Sequence, residues 1–351
     1  MNYATNTPRR SLMALLVSIA IVGTGCDFAQ DLGGGNNDAA ALFPVLLDGN
    51  YGYVNVDGRI VVEPQFKWAS YFSEGKAVVR TSCCSYGFID SSGELVIEPR
   101  FSDARSFSEG RAAVRFDGRW GYIDESGGFA INPQFTSAGQ FSDDRAFVRT
   151  PDWHWEYINR SGVIVRTEET PSFDENDENA FVSGVALVRQ DDSFGYIDES
   201  TTPVIPLQYA EARAFSDGRA AIKISDRWGY IDEGTNTVIT PQYISAGNFG
   251  DGLAPVRMTG NFWGYINESG SLVIEEQFEE ADTFSEGRAA VRIDGRWAYI
   301  NENGDRLTEA VFDEAEPFKL GLGRVVQLVG EEDERVGYVD RSGRYVWFPT
   351  D

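Results

Sequence analysis

The sequence predicts an all-β fold: nine tandem units, each a three-stranded antiparallel meander of about 35 residues, closed into a β-propeller-like toroid. Three observations predict it. The aromatic that follows a Trp-Gly pair, or stands in its register, recurs as Tyr53, Phe88, Tyr122, Tyr157, Tyr196, Tyr230, Tyr265, Tyr299 and Tyr338, at steps of 34, 35 or 39 residues. Turn signals cut each unit into three strand-like segments. The chain of 351 residues is 42% hydrophobic and 13% aromatic, enough to fill a large core.

The elements follow in order, and residues 101–135 give the clearest copy. The first strand is "RAAVRF" (111–116), the second "WGYID" (120–124) and the third "GFAINPQF" (128–135). Asp117-Gly118 joins the first two, a hairpin signal because both central residues of such a turn take positive φ. "ESG", ending on Gly127, joins the second and third. Side chains alternate along a strand, so Trp120 and Tyr122 share one face and Gly121 and Ile123 the other. The large rings cover one side, and the glycine leaves room for a close backbone or ring on the other.

A ten-residue linker, "FSDARSFSEG" (101–110), leads into the next unit. Its Phe101, Ala104 and Phe107 recur as Phe135/Ala138/Phe141, Tyr209/Ala212/Phe215, Tyr243/Ala246/Phe249, Phe278/Ala281/Phe284 and Phe312/Ala315/Phe318, and are expected to wedge neighbouring units together. One such meander cannot bury both faces, so the units must stack. Each is complete in sequence order, which leaves no strand to borrow for closing a ring. An open β-superhelix is the alternative, since propellers usually have four to eight blades. Neither end unit carries a polar cap, and this favours the toroid.

The segments "WGYIDESG", "VIEPRF" and "FSEGRAAVR" resemble the bacterial WG-repeat family, also called KWG repeats, over roughly residues 43–349. Departures are local. Glu156 and Ala298 stand in place of the glycine, Tyr51 and Phe194 in place of the tryptophan, and Tyr86 stands there in the second unit. The resemblance implies a repeated β module and brings no activity with it.

The first 25 residues read as an export signal, with Arg9-Arg10 followed by "SLMALLVSIAIVGTG". That stretch is short for a membrane span, which needs about 20 apolar residues. Gly23-Thr24-Gly25-Cys26 resembles the lipobox of bacterial lipoproteins, with Gly23 where leucine is usual, and implies lipidation of Cys26. Asp27 resembles the inner-membrane retention signal of enteric lipoproteins, and "PRRSL" faintly resembles a twin-arginine signal. Residues 26–42, rich in Gly, Asn and Ala, form a flexible tether, and the repeat domain occupies 43–351.

Few residues carry candidate chemistry. Cys83-Cys84 replaces a hairpin turn and could form a vicinal disulfide in an oxidising compartment, against the alternatives of free thiols or cross-links between molecules. The single histidine, His154, is flanked by Trp153 and Trp155, a possible ligand site or a drifted repeat. One histidine leaves no multi-His zinc centre, so no metal or cofactor is expected. Asp124, Asp198, Asp232 and Asp340 end the second strand, where they are expected to cap turns and not to serve as a catalytic pair. The acidic inserts at 174–179 and 331–334 lack the spacing of known calcium loops. A recurrent basic residue closes the first strand (Arg80, Arg115, Arg149, Arg189, Lys223, Arg257, Arg292) and is expected to ladder against those aspartates.

The net charge of −25 repels nucleic acid and anionic headgroups and leaves cations, basic proteins or neutral glycans as partners. The expectation is a non-enzymatic, lipid-anchored cell-envelope protein that binds another protein or a glycan. A structural spacer in an envelope complex and an enzyme acting on cell-wall carbohydrate are the alternatives.

Overall fold

The computed structural model describes residues 41–81, 85–167, 180–329 and 333–350. Among these, the strands form nine antiparallel sheets in chain order, the blades of a β-propeller, and no helix occurs. Blades 1 to 9 span residues 43–66, 68–101, 103–135, 137–165, 185–209, 211–243, 245–278, 280–301 and 314–350.

Blade 3 holds the predicted meander. Ala112–Phe116 pairs with Arg119–Ile123, which pairs in turn with Phe129–Phe135. Asp117 and Gly118 take φ of 48° and 78°, the left-handed pair that a two-residue hairpin requires. The linker adds a short fourth strand to most blades, here Asp103–Ala104 paired with Arg115 and Val114. The third strand is the sheet's far edge. It repeats one burial pattern from blade to blade, and Pro64, Pro99, Pro133 and Pro241 fall at one position along it, with Pro206 one residue earlier. A proline without an N–H blunts such an edge against pairing with other chains.

The recurrent glycine has a specific cause. Trp120 pairs with Phe135 and Tyr122 with Ile131, so the third strand bulges between them. Its backbone then lies over Gly121, where a methyl carbon would sit 2.6 Å from the Ile131 carbonyl oxygen and 2.7 Å from Pro133 N. Gly52, Gly87, Gly195, Gly229 and Gly264 are overlain in the same way. The two departures fit the same rule. At Glu156 the third strand shrinks to Ile164–Val165, and beside Ala298 only isolated bridges replace it, Trp297 to Phe312 and Ile300 to Arg306. A side chain thus stands at this position in the two blades whose third strand is shortened or replaced by bridges.

The linker aromatics wedge the blades as expected. Phe72, Phe107, Phe141, Phe181, Phe215, Phe249, Phe284 and Phe318 each meet the recurrent ring of the preceding blade edge-on, at 4.8–5.1 Å between centroids. The tyrosine hydroxyls also cross the joint. Tyr53, Tyr122, Tyr196, Tyr230, Tyr265 and Tyr299 donate to the backbone carbonyls of Ser70, Gly139, Arg213, Gly247, Asp282 and Glu316, at 2.5–2.9 Å. Burial pushes these phenols far above their ordinary range, so they remain donors.

The ring is closed. Nine hydrophobic clusters each join two neighbouring blades, and an open row of nine units would have eight such joints. The ninth cluster unites Phe43, Val45 and Val54 of blade 1 with Leu322 and Tyr338 of blade 9. Tyr338 donates to the Pro44 carbonyl at 2.8 Å, and its ring lies 5.3 Å from Phe43. Phe43 stands in the register of Ala77 and Ala112, so at this joint a strand residue replaces the linker phenylalanine. Among the described residues, no strand is exchanged between the first and last blades.

One half-buried acid runs against the frame. Asp282 follows the linker alanine of blade 8, where blade 7 has Gly247 and blade 2 has Ser70. Burial, then the neighbouring Glu280, pushes its carboxyl from 3.8 up to about 6. A carboxyl that holds its proton more tightly when folded adds stability that is complete below the unfolded value and lost as pH rises through the folded one. Asp282→Asn is therefore expected to raise stability by roughly 2–3 kcal/mol at pH 7.5 and to leave it unchanged near pH 3.5. Urea denaturation of both proteins at the two pH values checks this.

Candidate functional site

Most polar residues of the repeat serve the frame. The residue ending the second strand caps the turn that follows. Asp124 Oδ1 accepts the N–H groups of Ser126 and Gly128, and the same bonds recur at Asp198, Asp232 and Asp340, and at Asn55, Asn159, Asn267 and Asn301. The Ser126 hydroxyl, with backbone N–H groups, holds the Asp124 carboxyl below its ordinary range, as the Asn236 amides do for Asp232. These carboxylates stand one per blade, each turned into its own loop.

The "FSEG" turn links six of the blades to the next. Ser108 Oγ donates to the Phe141 carbonyl at 2.7 Å, and Glu109 accepts the backbone N–H of Asp144 at 3.0 Å. The same carboxylate-to-N–H link joins Glu74 to Gly110, Asp143 to Gly184, Asp217 to Gly252, Asp251 to Gly287 and Glu286 to Gly321. The recurrent S-E/D-G was the sequence signal for it, and its partner a unit away could not be read.

The expected Arg–Asp ladder does not form. In blade 6, Lys223 pairs across the strands with Trp228, whereas Asp232 pairs with Arg219 at the other end of the hairpin. The strand-end cations instead lie over the recurrent aromatic, as Lys223 over Trp228, Arg257 over Trp263 and Arg189 over Phe194, at 5.5–5.8 Å from the ring centroids. Lys223 and Arg292 also pair with Glu211 and Glu280 of the short strand, each at 2.5 Å.

Blade 4 breaks this frame, and Trp153, His154 and Trp155 lie there. Its hairpin is longer than the Asp-Gly type, closed by Thr150 N to the His154 carbonyl at 2.8 Å, with Trp153 at φ 69°. The structure separates the two tryptophans. Trp155 is buried at the joint with blade 5, stacked on Phe147 at 4.9 Å, and its Nε1 has no hydrogen-bond partner. Trp153 is 65% exposed, with the Arg149 guanidinium 4.1 Å from its ring centroid. The pair therefore does not form a two-ring clamp. His154 is exposed on the same hairpin.

Glu156 and Arg166 were not foreseen as site residues. Glu156 was visible only as a departure from glycine, and nothing in the sequence marked Arg166. Glu156 is 6% exposed, and its Oε1 accepts from Arg166 at 2.6 Å while Oε2 is buried without a partner. Burial pushes its carboxyl above the ordinary range, against the pull of Arg166 and His154. An acceptor and a donor thus stand together in the blade whose hairpin also carries the imidazole and an exposed indole.

Cys26, Cys83 and Cys84 lie outside the described residues, as do the insert at 174–179 and residues 331–332 of the second insert. Among the described residues, no group of three or more His, Cys, Asp or Glu side chains is arranged to hold a metal ion.

A family model described as "WG containing repeat" matches residues 51–81, 86–120, 120–150, 194–228, 228–262, 263–297 and 297–327. No curated protein matches the chain. Among solved structures, the computationally designed Ika8 protein is similar at 13% identity, covering 80% of this chain and 95% of its own, with a TM-score of 0.46. BamB from Moraxella catarrhalis is similar at 11% identity, covering 79% and 94%, with a TM-score of 0.43.

Proposed function

The chain belongs to the WG-repeat family, and from that premise we propose that it is a non-enzymatic binding protein of the cell envelope, held to a membrane through lipidated Cys26. One observation carries the reading. The repeated polar side chains are spent on turns and joints, whereas one blade departs from the repeat and carries both an exposed tryptophan and an incompletely bonded carboxylate. A closed ring of this kind is a rigid platform for a protein or glycan partner. The repeated aspartates, each engaged in its own turn, support a role without turnover.

The tether of residues 26–42 gives the ring reach from the membrane. The net charge of −25 favours partners that are basic or uncharged. The test is capture from detergent-solubilised envelope of the source organism with residues 41–351, at low and high salt. A partner retained at low salt and shed at high salt is expected, because contacts between exposed charges are screened beyond about 8 Å at physiological ionic strength. Recovery of neither protein nor glycan would remove the reading.

A further inference from the structure

We propose that Glu156 and Arg166, with His154 beside them, form a binding notch for a neutral saccharide that presents two adjacent hydroxyl groups. The inference rests on the reading of the chain as a binding protein and gives its ligand a chemical class. It begins from a comparison within the molecule. In blade 4 the third strand is assigned only over Ile164–Val165, and in blade 8 isolated bridges replace it; both blades carry a side chain where the others have glycine. Blade 8 fills the position with Ala298, fully buried and apolar. Blade 4 fills it with a carboxylate, which the fold does not need.

That carboxylate is half satisfied. Arg166 occupies Oε1, and Oε2 is buried without a donor. An unmet buried acceptor is a standing cost that an alanine would avoid. Its retention makes sense if something donates to it.

The chemistry of the donor follows from charge. Glu156 and Arg166 neutralise one another, so an ammonium ion gains little here and an anion meets the carboxylate. A hydroxyl can donate to Oε2, and a neighbouring hydroxyl can accept from the remaining N–H groups of the guanidinium, whose side chain is 48% exposed. Arg166 is thus the solvent-facing member of the pair. His154, exposed on the same hairpin, supplies a second donor or acceptor.

The test is calorimetric titration of the full chain with cellotriose, maltotriose, mannotriose and chitotriose, with lysine methyl ester as an amine control. At least one trisaccharide is expected to bind saturably. Glu156→Gln and Arg166→Ala should each weaken it about tenfold or more. Glu156→Gly, which restores the family's glycine, should abolish binding while keeping a cooperative thermal transition. No saturable binding to any of the four sugars would overturn the notch, as would sugar binding that the variants leave unchanged or preferential binding of the amine. Envelope capture by wild type and Glu156→Gln alike, with no sugar binding by either, would remove the notch and leave the binding-protein reading standing.

Discussion

Replacing Gly229 with alanine is expected to destabilise the protein by about 3 kcal/mol or more, or to prevent folding. The added carbon would lie 2.4 Å from the Ile239 carbonyl oxygen, 2.7 Å from Pro241 N and 2.9 Å from Pro241 Cα. These are backbone atoms of a strand paired at both ends, Trp228 with Tyr243 and Ile231 with Thr237, so no side chain can rotate away. The internal control is the reverse change, Ala298→Gly, in the blade without that strand. It relieves no clash and should cost about 1 kcal/mol or less, the entropy of an added glycine. Chemical denaturation of both variants gives the comparison. Equal, small effects would mean that the third strand does not lie where the glycine rule requires it.

Phe43→Ala is expected to cost about 3–5 kcal/mol and to loosen the ring at one joint. Phe43 is 1% exposed and lies 5.3 Å from the Tyr338 ring and 6.4 Å from Tyr71. It fills the place taken by the linker phenylalanine at the other joints, so its loss leaves a cavity where the chain has no covalent connection. Phe107→Ala, between blades 2 and 3, removes a comparable ring at a joint the chain itself spans. Both variants should lose stability, but Phe43→Ala alone should give an expanded species in moderate denaturant. Small-angle scattering across a denaturant series separates them.

Much of this architecture was legible in the sequence because it is local and repeated. Asp117-Gly118 announced its hairpin, Asp124 its cap, and the alternation around Gly121 a close approach by backbone. What could not be read depends on partners a whole blade away. A two-residue strand such as Asp103–Ala104 has no periodicity of its own, and the tyrosine hydroxyl leaves no trace of the carbonyl it will meet. The Arg–Asp ladder failed for a related reason: opposite charges recurring at the same period were placed together, whereas pairing register sets them at opposite ends of the hairpin. At blade 4 the irregular unit was visible in the residues but its geometry was not. Trp153 and Trp155 look like a pair in the chain, yet one enters the core and the other faces solvent. The carboxylate of Glu156, which the glycine rule makes conspicuous, emerged only with the third strand in view.

Closure of nine blades into one ring is the central claim, and one distance tests it most directly. Spin labels at Val56 and Arg341, in the exposed turns of blades 1 and 9, would be compared by double electron–electron resonance with labels at Ser91 and Glu125, the same turn position in blades 2 and 3. Cys26, Cys83 and Cys84 are changed to serine for the purpose. The two pairs are expected to give the same short distance, because blade 1 neighbours blade 9 as blade 2 neighbours blade 3. A distance between Val56 and Arg341 far longer than the reference pair would contradict the closed ring and return the chain to an open β-superhelix.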